Sequence, residues 1–280
     1  MVNINGTIVE SSNANLSIHN RGFTYGDSIF ETLKVNNKPL FWESHYFRLM
    51  SSMRIMRMNI PMSFTPEFLE NEIMTLIRLL NIKSRSYRVK IHVYRKDGGL
   101  YTPKSSKIEY MISATNLEHD LYYIDDREYE IELFKDYLIA PNLLSTLKTN
   151  NKALNVIGSI FAKENNYQNC LLLNTNKNII EALNGNIFLV RDKIIKTPPL
   201  SDGCLKGVLR DEIIKIIEKS EDYDLNESSI SPFELQKADE IFITNVIQGI
   251  NSVTKYRKKI YTRNLSNELI KKLNLILRIS

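Results

Sequence analysis

Lys148 stands in the run Leu147-Lys148-Thr149-Asn150-Asn151, between an apolar strand-like stretch and a helix. A lysine at such a junction can point into a cleft and form an imine with a carbonyl. This requires burial or a neighbouring cation to lower its pKa and leave the amine partly deprotonated. Taken alone, the same residue reads as one more surface lysine. Glu181 follows Ile179-Ile180 at a strand end and precedes Ala182-Leu183-Asn184-Gly185-Asn186. A carboxylate there can pair with a buried cation or simply face solvent. Gly207-Val208-Leu209-Arg210 opens an apolar-periodic helix. Its first free N–H groups suit a phosphate, although they would be there at any helix start.

These residues need elements to position them. Gly6 to Glu10 and Ser28 to Val35 read as strands, the second with near alternation, followed by a turn at Asn36-Asn37-Lys38-Pro39. Tyr46, Leu49, Met50 and Met53 recur at helical spacing in a helix that starts near Glu43 and packs on a core. Residues 65–80 read as a second helix, and Arg88 to Tyr94 and Glu109 to Ala114 as strands, with a Lys96-Asp97-Gly98-Gly99 turn after the first. Ala153, Val156, Ile157, Ile160 and Phe161 mark the apolar face of a helix, followed by strands at Cys170 to Leu173 and Ile187 to Val190. Leu209, Ile213, Ile216 and Ile217 line the helix beginning near Gly207, and a further strand spans Glu240 to Thr244. The polar stretch before residue 130 divides the chain into an N-terminal α/β domain over 1–118, a connection over 119–130 and a C-terminal α/β domain over 131–280 that carries Lys148. The architecture expected is mixed α/β (α+β) in two parts.

Composition narrows the class. The 280 residues are 43% hydrophobic and 25% charged, enough apolar material for a sizeable core and ordinary for a globular chain. The net charge of +5 is spread out, and short runs such as Lys255-Tyr256-Arg257-Lys258-Lys259 read as a solvated surface rather than a nucleic-acid stripe. Cys170 and Cys204 lack metal-ligand spacing and imply neither a zinc site nor a disulfide framework. No secretory leader is evident, and no run of about 18 apolar residues suggests a membrane span. A cytoplasmic enzyme acting on a small molecule is the expectation.

The order of the chemical features adds what each lacks alone. Leu147-Lys148-Thr149-Asn150-Asn151, Asn178-Ile179-Ile180-Glu181-Ala182-Leu183-Asn184-Gly185-Asn186, Thr197-Pro198-Pro199-Leu200, Gly203-Cys204-Leu205-Lys206-Gly207-Val208 and Ala238-Asp239-Glu240 to Asn245 follow one another. Upstream lie Arg21-Gly22-Phe23-Thr24-Tyr25-Gly26-Asp27-Ser28-Ile29-Phe30-Glu31-Thr32 and His45-Tyr46-Phe47-Arg48-Leu49. Over nearly its whole length the chain resembles the class IV aminotransferases. The resemblance implies a fold-type IV pyridoxal 5′-phosphate enzyme, like the D-amino-acid and branched-chain aminotransferases, and a homodimer. It implies that Lys148 attaches the cofactor and moves the proton at the substrate Cα. Lys152, one helical turn later, is a rival that the motif does not select. The resemblance also implies that Glu181 keeps the pyridine nitrogen protonated, and that Arg48 holds the phosphate with the backbone N–H groups of Val208 and Leu209.

Within that family the chain looks closest to aminodeoxychorismate lyase, which forms 4-aminobenzoate and pyruvate for folate synthesis. Phe30, Thr32, Lys152 and Asn245 are the substrate-side positions that carry this likeness. Transaminases commonly place a phosphate-binding threonine where Val246 stands. Against it, the Gly-Gly-Arg-Gly-Tyr segment of some lyases is Gly98-Gly99-Leu100-Tyr101 here, so an arginine is missing, and Arg95 and Lys96 are the nearby candidates to compensate. The alternative is a branched-chain or D-amino-acid type transaminase, and a more remote one a pyridoxal-phosphate-binding homologue without turnover.

Overall fold

The computed structural model describes residues 1–80 and 84–279. Residues 1–120 form one compact unit together with Lys148–Asn151. Its sheet has the strand order Thr7–Val9, Val2–Ile4, Ile108–Asn116, Ser86–Arg95, Ser28–Asn36, Lys38–Pro39, and the neighbours pair antiparallel. Alternation sends Ile29, Leu33, Val35, Val89, Ile91, Val93 and Ile112 to one face. There they share a core with Leu49, Met50 and Met53 of the helix Trp42–Ile55 and with Leu69, Ile73 and Leu76 of the helix Pro66–Arg78. The methionines are core packing, as their spacing indicates. Thr65 caps the second helix by accepting from the Phe68 N–H, with Pro66 in the first turn. The register pairs Phe30 with His92, Thr32 with Lys90 and Lys34 with Arg88. These six residues alternate away from the helices onto the other face.

Leu121–Leu147 and the chain from Lys152 onward form the second unit. One of its sheets has the order Lys259–Ile260, Lys255–Tyr256, Glu130–Ile139, Asn169–Asn174, Ile179–Ala182. The other has the order Asp224–Glu227, Ile194–Thr197, Asn186–Arg191, Glu240–Asn245, Gly249–Val253. Leu171 and Leu173 of the first share a core with Ile187, Leu189, Ile241 and Ile243 of the second, so the two sheets pack face to face. The helix Ala153–Glu164 supplies the crossover between the parallel strands Glu130–Ile139 and Asn169–Asn174 and packs against both. The helices Val208–Glu218 and Asn264–Ile279 pack against Glu240–Asn245.

Two expectations change. The expected apolar face of the helix Ala153–Glu164 turns largely outward, with Val156 56%, Ile157 41% and Ile160 51% exposed. The buried residues are Gly158 and Ala162. A Cβ on Gly158 would lie 2.5 Å from Leu183 Cδ2, so only small residues permit this close approach, and the bulky ones point away. The second difference concerns Lys148, which the sequence reading places with the C-terminal domain. Thr149 pairs with Ile29 in an antiparallel bridge, and this draws Lys148–Asn151 into the first unit. The strands Val2–Ile4, Ile194–Thr197 and Gly249–Val253 and the amphipathic helix Asn264–Ile279 are elements the sequence reading did not identify.

Candidate active site

In the first unit, the lysine segment lies along the edge of the strand Ser28–Asn36. The Phe30 N–H donates to the Lys148 carbonyl at 2.8 Å and the Asn150 N–H to the Ser28 carbonyl at 3.1 Å. Gly26, at φ +63°, is held beside this segment. A Cβ there would sit 2.2 Å from Asn151 Oδ1, so a side chain would push the lysine strand off its edge. Antiparallel pairing puts Lys148 on the face of Phe30, and its Nζ lies 4.6 Å from the Phe30 ring centroid. Lys90 Nζ lies 4.5 Å from the same centroid, and His92 stacks on Phe30 at 5.7 Å. Burial and the Lys90 charge hold His92 down to about 4, so the ring is neutral near pH 7. Thr32 is buried on this face, and Lys34, also buried, donates to the His119 carbonyl at 2.8 Å. Burial lowers Lys34 to about 8 against the opposing pull of Asp120.

Glu31 has the other parity and turns to the helix side. Its carboxylate accepts from Arg48 Nε at 2.7 Å and Nη2 at 2.6 Å, and it meets His45 Nδ1 at 2.8 Å. Burial alone would raise this carboxyl, but Arg48 and His45 outweigh it and bring it down to about 2. His45 is wholly buried, and burial lowers its pKa despite Glu31. Arg48 is therefore a fixed guanidinium, held in a bidentate ion pair.

The two candidates to compensate for the missing arginine are placed differently. Arg95 is buried and engaged, donating to Asp27 Oδ2 at 2.8 Å and to the carbonyls of Arg57 and Met56. Lys96 is exposed beyond the end of its strand. Arg21 also binds Asp27 and gathers the carbonyls of Gly98, Leu100 and Tyr101, which fixes the loop that lacks the arginine.

In the second unit, Glu181 is 8% exposed, and its Oε2 accepts from the Leu205 N–H at 2.9 Å. Asn186 donates to the Leu205 carbonyl at 2.8 Å, and a Cβ on Gly207 would fall 2.0 Å from Asn186 Oδ1. A side chain there would displace Asn186 where the chain enters the helix Val208–Glu218, whose N-terminus has no side-chain cap. Thr244 pairs with Asn186 across the sheet, and its buried hydroxyl lacks a partner. An uncapped helix start beside an unpartnered buried hydroxyl suits a phosphate, and a buried carboxylate anchored on one oxygen suits a protonated ring nitrogen. The residues present thus fit pyridoxal 5′-phosphate. Sequence reasoning missed Thr244, although its parity with Asn186 was the available signal.

The remaining substrate-side candidates divide. Asn245 Oδ1 accepts from the N–H groups of Ile247 and Gln248, so this side chain shapes its own turn. Lys152 is the N-cap residue of the helix Ala153–Glu164. Among the described residues, no cluster of three or more His, Cys, Asp or Glu is arranged to hold a metal, and no helix is long and apolar enough to cross a membrane.

Comparison with known proteins converges with this geometry. The amino-transferase class IV family model matches residues 28–256. A Methanocaldococcus jannaschii protein, provisionally named a branched-chain-amino-acid aminotransferase, is 27% identical over 96% of this chain and 92% of its own length. The aminodeoxychorismate lyase of Vibrio harveyi is 24% identical over 84% of each chain. The branched-chain aminotransferase of Thermoproteus uzoniensis, crystallised with norvaline, shares the fold with a TM-score of 0.86 at 21% identity, covering 97% of this chain and 92% of that one.

Proposed function

This chain belongs to the class IV amino-transferase family of pyridoxal-phosphate enzymes, and we propose that it is an aminodeoxychorismate lyase, releasing 4-aminobenzoate and pyruvate. The observation that carries this reading is the turn after the strand Glu240–Asn245. Asn245 caps it, Val246 brings no hydroxyl, and the buried Tyr122 hydroxyl donates to the Val246 carbonyl at 2.7 Å. A transaminase reading is favoured by the 27% identical relative that spans nearly the whole chain.

Bound pyridoxal 5′-phosphate supplies an electron sink for charge developing at the substrate Cα. Lys148 would hold the cofactor, and its amine would take the proton from the substrate Cα. Glu181, its carboxylate fixed by the Leu205 N–H, would keep the ring nitrogen protonated. Val208 and Leu209 would offer backbone N–H groups to the phosphate and Thr244 a hydroxyl. The family resemblance gives the same task to Arg48, whose guanidinium is oriented by Glu31. Thr32 and Phe30 line the substrate side. The exposed stripe of Val156, Ile157 and Ile160 supports a homodimer, since a second copy would remove it from water.

Two measurements test the reading. Borohydride reduction and peptide mapping should find the pyridoxyl label on Lys148, and a label on Lys152 would reject the assignment. Purified enzyme given aminodeoxychorismate should release pyruvate in step with 4-aminobenzoate and need no 2-oxo-acid acceptor. Turnover that depends on an added acceptor would select the transaminase.

A further inference from the structure

The hairpin that carries Thr244 lies at an edge of its sheet, with Gly249–Val253 as the outermost strand. On its other side, pairing with the strand Asn186–Arg191 stops at Thr244 itself. Beyond that residue, no neighbouring strand holds the hairpin. Its tip runs from Val246 to Gln248, and Gly249 closes it at φ +80°, a left-handed position that favours glycine. Within the tip, Asn245 Oδ1 accepts from the Ile247 and Gln248 N–H groups, and Gln248 Oε1 accepts from the side-chain amides of Asn245 and Asn251. These bonds fix the shape of the turn. They join the hairpin only to itself and leave its direction open.

Tyr122 supplies the contact from outside. It is buried, its hydroxyl donates to the Val246 carbonyl at 2.7 Å, and a Cβ on Gly249 would fall 2.7 Å from its ring atoms Cγ and Cδ1. One side chain thus holds the first residue of the tip through its hydroxyl and the closing glycine through its ring. Burial pushes the phenol up, so it remains a donor at neutral pH. Tyr122 is fixed in its turn by the helix Asn264–Ile279. Asn274 of that helix accepts from the Tyr122 N–H at 3.0 Å and donates to the Tyr122 carbonyl at 2.6 Å, so a single amide satisfies both backbone groups.

We propose that Tyr122 is a positioning residue for the cofactor phosphate, holding the hairpin tip so that the Thr244 hydroxyl keeps its direction, and that Asn274 carries this constraint from the helix Asn264–Ile279. This rests on the reading that Thr244 and the start of the helix Val208–Glu218 receive the phosphate. Hydrogen bonds weaken steeply away from straight geometry. A tip free to swing therefore costs the phosphate contact more than any contact with the pyridine ring. The same geometry accounts for two residue types. A phenylalanine at 122 would fill the space over Gly249 but leave the Val246 carbonyl without its donor. A side chain at 249 would evict the ring.

The test measures the affinity of the full chain for pyridoxal phosphate and for pyridoxal, from the absorbance of the Lys148-bound form. Tyr122→Phe should weaken pyridoxal phosphate about three- to tenfold, the range for one hydrogen bond, and leave pyridoxal unchanged. Asn274→Ala should give a loss of the same kind. The double variant should lose no more than the worse single one, because both act through one contact. The phosphorus NMR signal of the bound cofactor should shift in Tyr122→Phe, which a defect confined to folding stability would not cause. Unchanged affinity in Tyr122→Phe, or equal losses for both cofactor forms, would overturn the role of Tyr122. Additive losses in the double variant would overturn its coupling to Asn274. A Thr244→Val variant that keeps the full preference for the phosphorylated form would overturn the reading of the phosphate site and this inference together.

Discussion

Replacing Glu31 by glutamine removes the charge that holds Arg48 and His45 together. The buried carboxyl sits at about 2 in the folded protein against an ordinary value of 4.5. At 1.36 kcal/mol per pH unit this difference is worth about 3 kcal/mol. Because the folded value is the lower one, the stabilisation is complete above pH 4.5 and is lost as pH falls towards 2. His45 acts in the same direction. Burial keeps it from protonating, so acidification below its ordinary 6.5 favours the unfolded chain. Urea unfolding of the cofactor-free protein should therefore find Glu31→Gln about 3 kcal/mol less stable than wild type at pH 7. The gap should close as pH approaches 2. A second arm reads Arg48: the variant should lose more affinity for pyridoxal phosphate than for pyridoxal, since only the former presents a dianion to the loosened guanidinium. A stability gap that stays constant from pH 7 to pH 3, or that is under about 1 kcal/mol at pH 7, would refute the assignment of a strong buried ion pair.

Glu181→Gln should keep the cofactor bound but slow Cα proton loss in a stopped-flow experiment by well over threefold, or about 0.7 kcal/mol, and a smaller change would leave Glu181 a structural carboxylate. Lys34→Met should flatten the pH dependence of stability between about 8 and 10.5. There the wild-type lysine is already neutral when folded and still protonated when unfolded, so wild-type stability rises with pH across that window. Replacing Val156 and Ile160 together by serine should shift the protein towards monomer in sedimentation at micromolar concentration, and an unchanged dimer would place the interface elsewhere.

Legibility in the sequence followed the physical origin of each feature. The strand Ser28–Asn36 and the helix Trp42–Ile55 were readable because one side of each meets a core, and the period of 2 or 3.6 records that side. Residues at a strand end or helix start, such as Glu181 and Gly207, were readable only through their order along the chain. The helix Ala153–Glu164 was readable with its apolar face, but not which way that face turns. Periodicity reports that apolar residues share a face, not whether protein or solvent lies beyond it, and here Gly158 and Ala162 took the buried side. The helix Asn264–Ile279 was missed although Leu265, Leu269, Ile270 and Leu273 are buried at helical spacing.

The sheet face around Phe30 was harder to read from the sequence than the short motifs. Cofactor contacts fall on short motifs, because a helix start and a strand end need local sequence to form. Substrate contacts fall on alternating positions of strands, where one residue in two faces the ligand and the type is free to vary. From sequence, Arg95 and Lys96 drew attention because they border the Gly98-Gly99 turn, where a cation was expected. In the structure Arg95 is held by Asp27 and the carbonyls of Arg57 and Met56, while Lys90, five residues earlier, faces Phe30. Once Phe30 is taken as a floor of the site, the register makes Lys90 a neighbour through Thr32, and alternation places both on one face.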